Sequence, residues 1–410
     1  MKVLLVNTSE STGGAAIACR RIMNALRKEG VDARMMVRNP EGMGEGVIPV
    51  GGRLRKQWCF LRERAAIWAA NGFNRDSIFY VDIANSGIDI TRTKEFLEAD
   101  IIHLHWINQG FISLRGLERI VASGKPIVWT MHDMWPFTGI CHHADSCTRY
   151  TAECHNCPLL PRTGFKDLAR DTFDRKAEIL EHADITFVGC SKWLAGLCSK
   201  SRIAEGHKVV SIPNPIDTEA YAPEDKAVVR RKLGLPQDKK LILFCSVKTT
   251  DIRKGMKYFQ DCCRILRETA SEDIEVLILG KDGEMLGKTL ALPCHALGYV
   301  GGNCSLSDYY NAADVFVTPS LQENLPNTIM EALSCGVPCV GFEIGGIPEM
   351  INHLQNGYVA MYKSAKDLAR GIRWVLEEAD YTALCRNARA KVISNYSEKV
   401  VAGQYISLFK

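Results

Sequence analysis

Short apolar runs, separated by stretches long enough for helices, recur from one end of this chain to the other. No other feature restricts the fold as much. In the first half the runs are Val3–Val6, Asp32–Val37, Ile101–Leu104, Ile127–Trp129, Ile185–Val188 and Val209–Ile212. In the second they are Leu241–Ser246, Glu275–Leu279, Ala313–Thr318, Pro338–Gly341 and Gly357–Val359. Strands joined through helices pair mostly in parallel, because a parallel pair needs a long crossover. The pattern therefore predicts an α/β protein with two doubly wound, Rossmann-like halves. Between them lies Ile212-Pro213-Asn214-Pro215-Ile216-Asp217, a proline-rich turn suited to a junction. The expected domains are 1–212 and a second beginning at 213.

Composition narrows the function. A chain of 410 residues is long enough for two cores, and 46% hydrophobic with 24% charged residues is ordinary for a globular protein. A net charge of +4, without basic runs carrying stacking aromatics, argues against a nucleic-acid partner. No apolar run approaches the ~18 residues of a membrane span. The start, Met1-Lys2-Val3-Leu4-Leu5-Val6-Asn7, turns polar too early for a signal peptide and reads as a first strand. The 16 cysteines are therefore expected to be reduced, in a cytoplasm.

The segment Pro319-Ser320-Leu321-Gln322-Glu323-Asn324-Leu325-Pro326-Asn327-Thr328-Ile329-Met330-Glu331 is richest in chemistry. It reads as a loop after a strand, followed by a helix. Glu323 falls in the loop outside the strand's carboxyl end, where open α/β sheets bind ligands, and Glu331 on the helix. Two carboxylates beside helix N–H groups can hold sugar hydroxyls and phosphate together. A lone Glu-x7-Glu is often two solvated glutamates. The flanking Gly336-Val337-Pro338 and Gly345-Gly346-Ile347-Pro348-Glu349 complete a longer pattern. The whole run resembles the donor-binding segment of retaining family-4 glycosyltransferases, of the GT-B architecture, in which two Rossmann-like domains face a cleft.

That resemblance implies roles. Glu331 would take ribose hydroxyls and Glu323 a hydroxyl of the transferred sugar. The amides of Asn324, Leu325 and Asn327 would assist, although glycine is usual near position 324. Lys254, before Gly255, matches the family's diphosphate lysine. The family's second cation lies five residues earlier, where this chain has Thr249, so either Lys248 or Arg253 would supply it. His132, just past a strand, matches the histidine that contacts the donor sugar across the cleft, with Asp133 able to orient its ring. The final helix, 395–410, would cross back onto the N-terminal domain and leave 213–394 as the donor domain. The reaction would retain anomeric configuration by same-face attack, with prepositioned charge and no catalytic metal or organic cofactor.

A dinucleotide-binding dehydrogenase fits less well. The first strand leads into Thr8-Ser9-Glu10-Ser11-Thr12-Gly13-Gly14, not Gly-x-Gly-x-x-Gly, and the second ends at Val37-Arg38 without an acidic residue for ribose. Gly13 and Gly14 still permit close approach to a phosphate or sugar, a role the resemblance supports; otherwise they serve the turn alone.

Cys141, Cys147, Cys154 and Cys157, interleaved with His142, His143 and His155, form a loop (141–157) that is a candidate structural zinc site. Core thiols or disulfides are the alternatives. Leu54, Trp58, Leu61, Ala65 and Trp68 fall at helical spacing, with Arg53, Arg55, Lys56, Arg62 and Arg64 around them. The stripe either lies on an anionic membrane surface or packs on its own domain, the packed reading being favoured for part of it.

The expected protein is a glycosyltransferase moving a sugar from a nucleotide-diphosphate donor to a saccharide or lipid-linked saccharide, in bacterial surface polysaccharide synthesis. It would be cytoplasmic and peripheral on the inner membrane face. The alternatives are a nucleotide-sugar epimerase or hydrolase of the same fold, and a non-catalytic zinc-stabilised binding protein.

Overall fold

The structure, a computed structural model, describes residues 1–75, 78–161, 164–248, 251–281, 283–298 and 305–410. The chain forms two compact units. One comprises Met1–Asn214 with Val401–Lys410, the other Pro215–Val400.

The first unit is built on a seven-stranded sheet, β1 (Lys2–Ser9), β2 (Asp32–Asn39), β3 (Val47–Pro49), β4 (Ile101–Leu104), β5 (Ile127–Met131), β6 (Ile185–Gly189) and β7 (Lys208–Ser211). Its order is β3-β2-β1-β4-β5-β6-β7, and the pairs are parallel. Alternate residues of β1 enter opposite layers. Leu4 and Val6 join one core, and Val3 and Leu5 the other. Both faces are covered, which is why the strands read as continuous apolar runs. Helix α1 (Gly14–Lys28) and the C-terminal helix Glu398–Leu408 lie on the Val3–Leu5 side, with Val401, Ala402 and Tyr405 in that core.

The second unit has a six-stranded sheet, β8 (Lys240–Lys248), β9 (Ile274–Lys281), β10 (Cys294–Ala296), β11 (Val315–Thr318), β12 (Cys339–Phe342) and β13 (Gly357–Ala360). The order is β10-β9-β8-β11-β12-β13, again parallel. In each sheet the chain runs outward from a central strand and then returns to that strand's other side. The reversal leaves a switch point, between β1 and β4 in one sheet and between β8 and β11 in the other. The crevice past the strands' carboxyl ends at such points is where ligands bind.

Helix α2 (Arg53–Ala70) differs from the packed reading of its stripe. Cys59, Glu63, Arg64 and Ile67 are its buried residues, while Leu54, Trp58, Leu61 and Trp68 are exposed. The inward face is fixed by charge. Arg64 is ion-paired with Asp82, and Glu63 accepts from the backbone N–H groups of Ile83 (3.1 Å) and Ala84 (2.6 Å). Rotating the helix to bury the tryptophans would break these buried contacts.

Candidate active site

In the second unit two loops are sewn together past the ends of β8 and β11. The backbone N–H of Leu321 donates to the Arg253 carbonyl at 2.7 Å. Gly255 adopts φ 69°, and a Cβ there would stand 1.8 Å from the Pro319 carbonyl oxygen. Only glycine permits this approach. A second seam joins the loop after β12. Gly345 has φ 57°, with a Cβ position 1.7 Å from the Glu323 carbonyl oxygen, and Gly346 N–H donates to Asn324 at 2.8 Å.

These seams bring Lys254 onto Glu323. The ammonium donates to Glu323 Oε1, which also accepts from the Ser320 hydroxyl at 3.2 Å. The Glu323 carboxylate beside it holds the Lys254 pKa above its ordinary value, against the opposing effect of burial. Lys254 therefore keeps its positive charge. Glu331 is buried on the helix Asn327–Ser334 and accepts from the fully buried Tyr310 hydroxyl at 2.8 Å. A capping box between Ser305 and Asp308 opens the helix Leu306–Ala312 that carries Tyr310. Asn324 and Leu325 are buried in the loop before Asn327, and Asn327 begins its helix behind Pro326. Arg253 forms a two-point pair with Asp251 in its own turn, at 2.7 and 3.1 Å. The side chain of Lys248, and all of Thr249, lie outside the described residues.

In the first unit, Gly13 and Gly14 open α1 past β1, Gly13 at φ 90°. The carbonyl end of β1 is tied to the chain after β4: Trp106 N–H donates to Asn7 Oδ1 at 3.0 Å, and Thr8 N–H to the Trp106 carbonyl at 2.8 Å. His105 and His132, just past β4 and β5, stack with ring centroids 5.3 Å apart, and Nδ1 of one lies 3.0 Å from Nε2 of the other. His103 follows beneath, 2.8 Å from Thr130 Oγ1, which is itself 2.8 Å from the Tyr405 hydroxyl. Burial lowers all three histidines, His103 to about 3, His132 to about 4, and His105 well below its ordinary value. They are neutral imidazoles, able to accept or donate a hydrogen bond without carrying charge.

Beside them runs a buried ionic chain. Asp133 accepts from Trp106 Nε1 (2.8 Å), His142 Nδ1 (2.7 Å) and the Trp135 backbone N–H (2.9 Å). His142 Nε2 reaches Asp82 at 2.7 Å, and Asp82 pairs with Arg64 of α2. Burial opposes charge on His142, but the two carboxylates outweigh it and raise the imidazole to about 10. Burial likewise pushes Asp133 upward; the His142 charge and hydrogen bonds outweigh it and bring the carboxyl to about 2. His142 is thus an imidazolium clamped between two carboxylates.

The cysteine loop departs from the zinc expectation. Cys141, Cys147, Cys154 and Cys157 are free thiols around one cavity of about 460 Å³. Among the described residues no three His, Cys, Asp or Glu side chains are placed to share a metal ion. Burial raises Cys141 and Cys154 to about 12, which keeps these thiols protonated. The fully buried Lys176 ammonium lies 3.9 Å over the Trp135 ring.

Sequence reasoning missed His103, His105, Trp106, Ser320 and Tyr310. The alternation His103-Leu104-His105-Trp106 at a strand's carboxyl end was the available signal for the first three. Tyr310 and Glu331 are brought together only by the tertiary fold.

Two parallel α/β sheets, each with polar side chains gathered past its switch point, define the Rossmann-like pair of domains found in GT-B glycosyltransferases. The model described as Glycosyltransferase Family 4 matches residues 12–220, half of the chain, and that of Glycosyl transferases group 1 matches 225–396. The chain belongs to Glycosyltransferase Family 4. It is 25% identical over 225 residues to N-acetyl-alpha-D-glucosaminyl L-malate synthase of Bacillus anthracis, covering 52% of this chain and 58% of the relative. It is 25% identical to UDP-Gal:alpha-D-GlcNAc-diphosphoundecaprenol alpha-1,3-galactosyltransferase of Escherichia coli, covering 49% and 54%. The chain spans about half the length of these curated relatives. Sucrose-phosphate synthase from Thermosynechococcus elongatus shares the fold, with a TM-score of 0.68 over 100% of this chain and 98% of that one, at 18% identity.

Proposed function

We propose that this protein is a retaining glycosyltransferase that takes a sugar from a nucleotide-diphosphate donor. The observation that carries the reading is the meeting of Lys254 with Glu323, 69 residues apart, at the β8–β11 switch point. A half-buried lysine, held in its charged form by a neighbouring carboxylate, suits a diphosphate leaving group, and that carboxylate suits a sugar hydroxyl. Glu331 holds the ribose hydroxyls, with Tyr310 fixing one of its oxygens. The amides of Asn324, Leu325 and Asn327 complete the cradle.

Lys254 balances the charge that grows on the diphosphate as the bond between the anomeric carbon and its phosphate oxygen breaks. The acceptor oxygen bonds to that carbon on the same face, and its proton passes to the departing phosphate. The protein supplies position and charge, without a catalytic metal. The neutral His132, backed by His105, offers a hydrogen bond to a sugar hydroxyl. The acceptor is a saccharide or lipid-linked saccharide, a reading that rests on the names of relatives such as the diphosphoundecaprenol galactosyltransferase. The work is placed at the cytoplasmic membrane face, as a peripheral protein. Among the described residues no helix is long and apolar enough to cross a membrane.

A panel of nucleotide sugars, incubated with free or lipid-linked saccharides, tests the reading. Acceptor-dependent transfer with retained anomeric configuration is expected, as resolved by proton NMR of the product. Nucleotide release that no acceptor accelerates would point to a hydrolase; inverted product would remove the proposed mechanism.

A further inference from the structure

We propose that the outer face of α2 is a docking surface for an anionic lipid bilayer. It deepens the placement at a membrane made above, and rests on that placement for location only.

The 18-residue helix has two faces of unusual composition. Its inner face carries the ion pair Arg64–Asp82 and the buried Glu63. Its outer face carries Leu54, Trp58 and Leu61, exposed to 82%, 65% and 61%, together with Ala65 and Trp68. At 100° per residue these five fall within one narrow sector. Phe73, 65% exposed, extends the stripe by edge contact with Trp68 at 4.8 Å. Water-facing tryptophan and leucine in a continuous row mark a contact surface. The inner ion pair shows why the row cannot simply turn inward.

The occupant follows from charge. Arg55 and Arg62 fall along one edge of the stripe and Arg53 along the other, all exposed. The only acidic residue of the helix, Glu63, is buried. An apolar row with cationic edges and no outward carboxylate fits the boundary between anionic headgroups and acyl chains, where tryptophan rings settle. A second copy of this chain would bring the same cations against one another.

The test floats the full chain with vesicles of phosphatidylcholine alone or mixed with phosphatidylglycerol. It compares the parent with Trp58→Ser/Leu61→Ser and with Arg55→Glu/Arg62→Glu. The parent should bind the anionic vesicles, and bind less as salt rises. Either variant should lose roughly tenfold or more of that binding at an unchanged melting temperature. Sugar transfer is not read, so failure here leaves the proposed reaction standing. Equal binding by parent and variants would overturn the proposal. So would a parent that ignores anionic vesicles, a large fall in melting temperature in the tryptophan variant, or a solution dimer abolished by that variant without vesicle binding.

Discussion

Lys254 donates a hydrogen bond from its ammonium to Glu323, so the cation proposed for a diphosphate and the carboxylate proposed for a sugar are set against each other before any donor arrives. Glu323 holds Lys254 in its charged form, and the hydrogen bond orients both side chains. A bound donor would enter between two groups already in place, which is the preorganisation that electrostatic catalysis needs.

The pair predicts different kinetic losses. Lys254→Ala should cost on the order of 2–4 kcal/mol of transition-state stabilisation, read as a fall in kcat/KM. Glu323→Ala should lower kcat more than it raises KM, because its proposed contact is with the reacting sugar. Steady-state kinetics at varied donor concentration separate the two.

Gly345→Ala should disturb the site without touching a polar side chain. Its new methyl would meet the Glu323 carbonyl, at a φ of 57° that a side chain disfavours. A stability loss of roughly 1–3 kcal/mol or more, with a matching loss of transfer, is expected. Gly124→Ala is the control: its φ is 69° but the space around it is open, so its melting temperature should fall less.

Glu331→Ala should weaken nucleotide binding and also lower stability by about 1–3 kcal/mol, since the buried Tyr310 hydroxyl loses its acceptor. Tyr310→Phe should leave nucleotide binding nearly intact while lowering stability. Calorimetric titration with nucleotide beside thermal unfolding distinguishes the variants.

The clamped imidazolium gives a pH signature. His142 has a folded pKa raised from 6.5 to about 10, so the folded protein holds a proton that the unfolded chain releases. The stability it contributes is full below about pH 6.5 and is lost as pH rises towards 10. The stability gap between the parent and His142→Gln should therefore shrink over that interval, as followed by denaturant unfolding at several pH values.

Much of the fold was legible in the sequence because buried parallel strands are continuous apolar runs. The strands from Val3–Val6 to Gly357–Val359 all appear. The short β3 and β10 were not read, because three-residue edge strands carry too little pattern. Lys254, Glu323 and Glu331 were legible because loop and helix positions near strand ends follow from local order. The direction of α2 was not. A stripe of Trp and Leu among arginines has two consistent orientations, and the choice was made by Asp82, whose pairing with Arg64 no local pattern reveals. His142 likewise reads only as one of the histidines interleaved with the cysteines, and becomes an imidazolium once Asp82 and Asp133 are folded around it.

The most direct test of the donor site is calorimetric titration of the full chain with a panel of nucleoside-diphosphate sugars, in chelator, for the parent and Lys254→Ala. At least one nucleotide sugar should bind the parent, and removal of the preorganised cation should weaken that binding by roughly tenfold or more. A parent that binds none of the panel, or a Lys254→Ala variant that binds as tightly as the parent, would contradict the account.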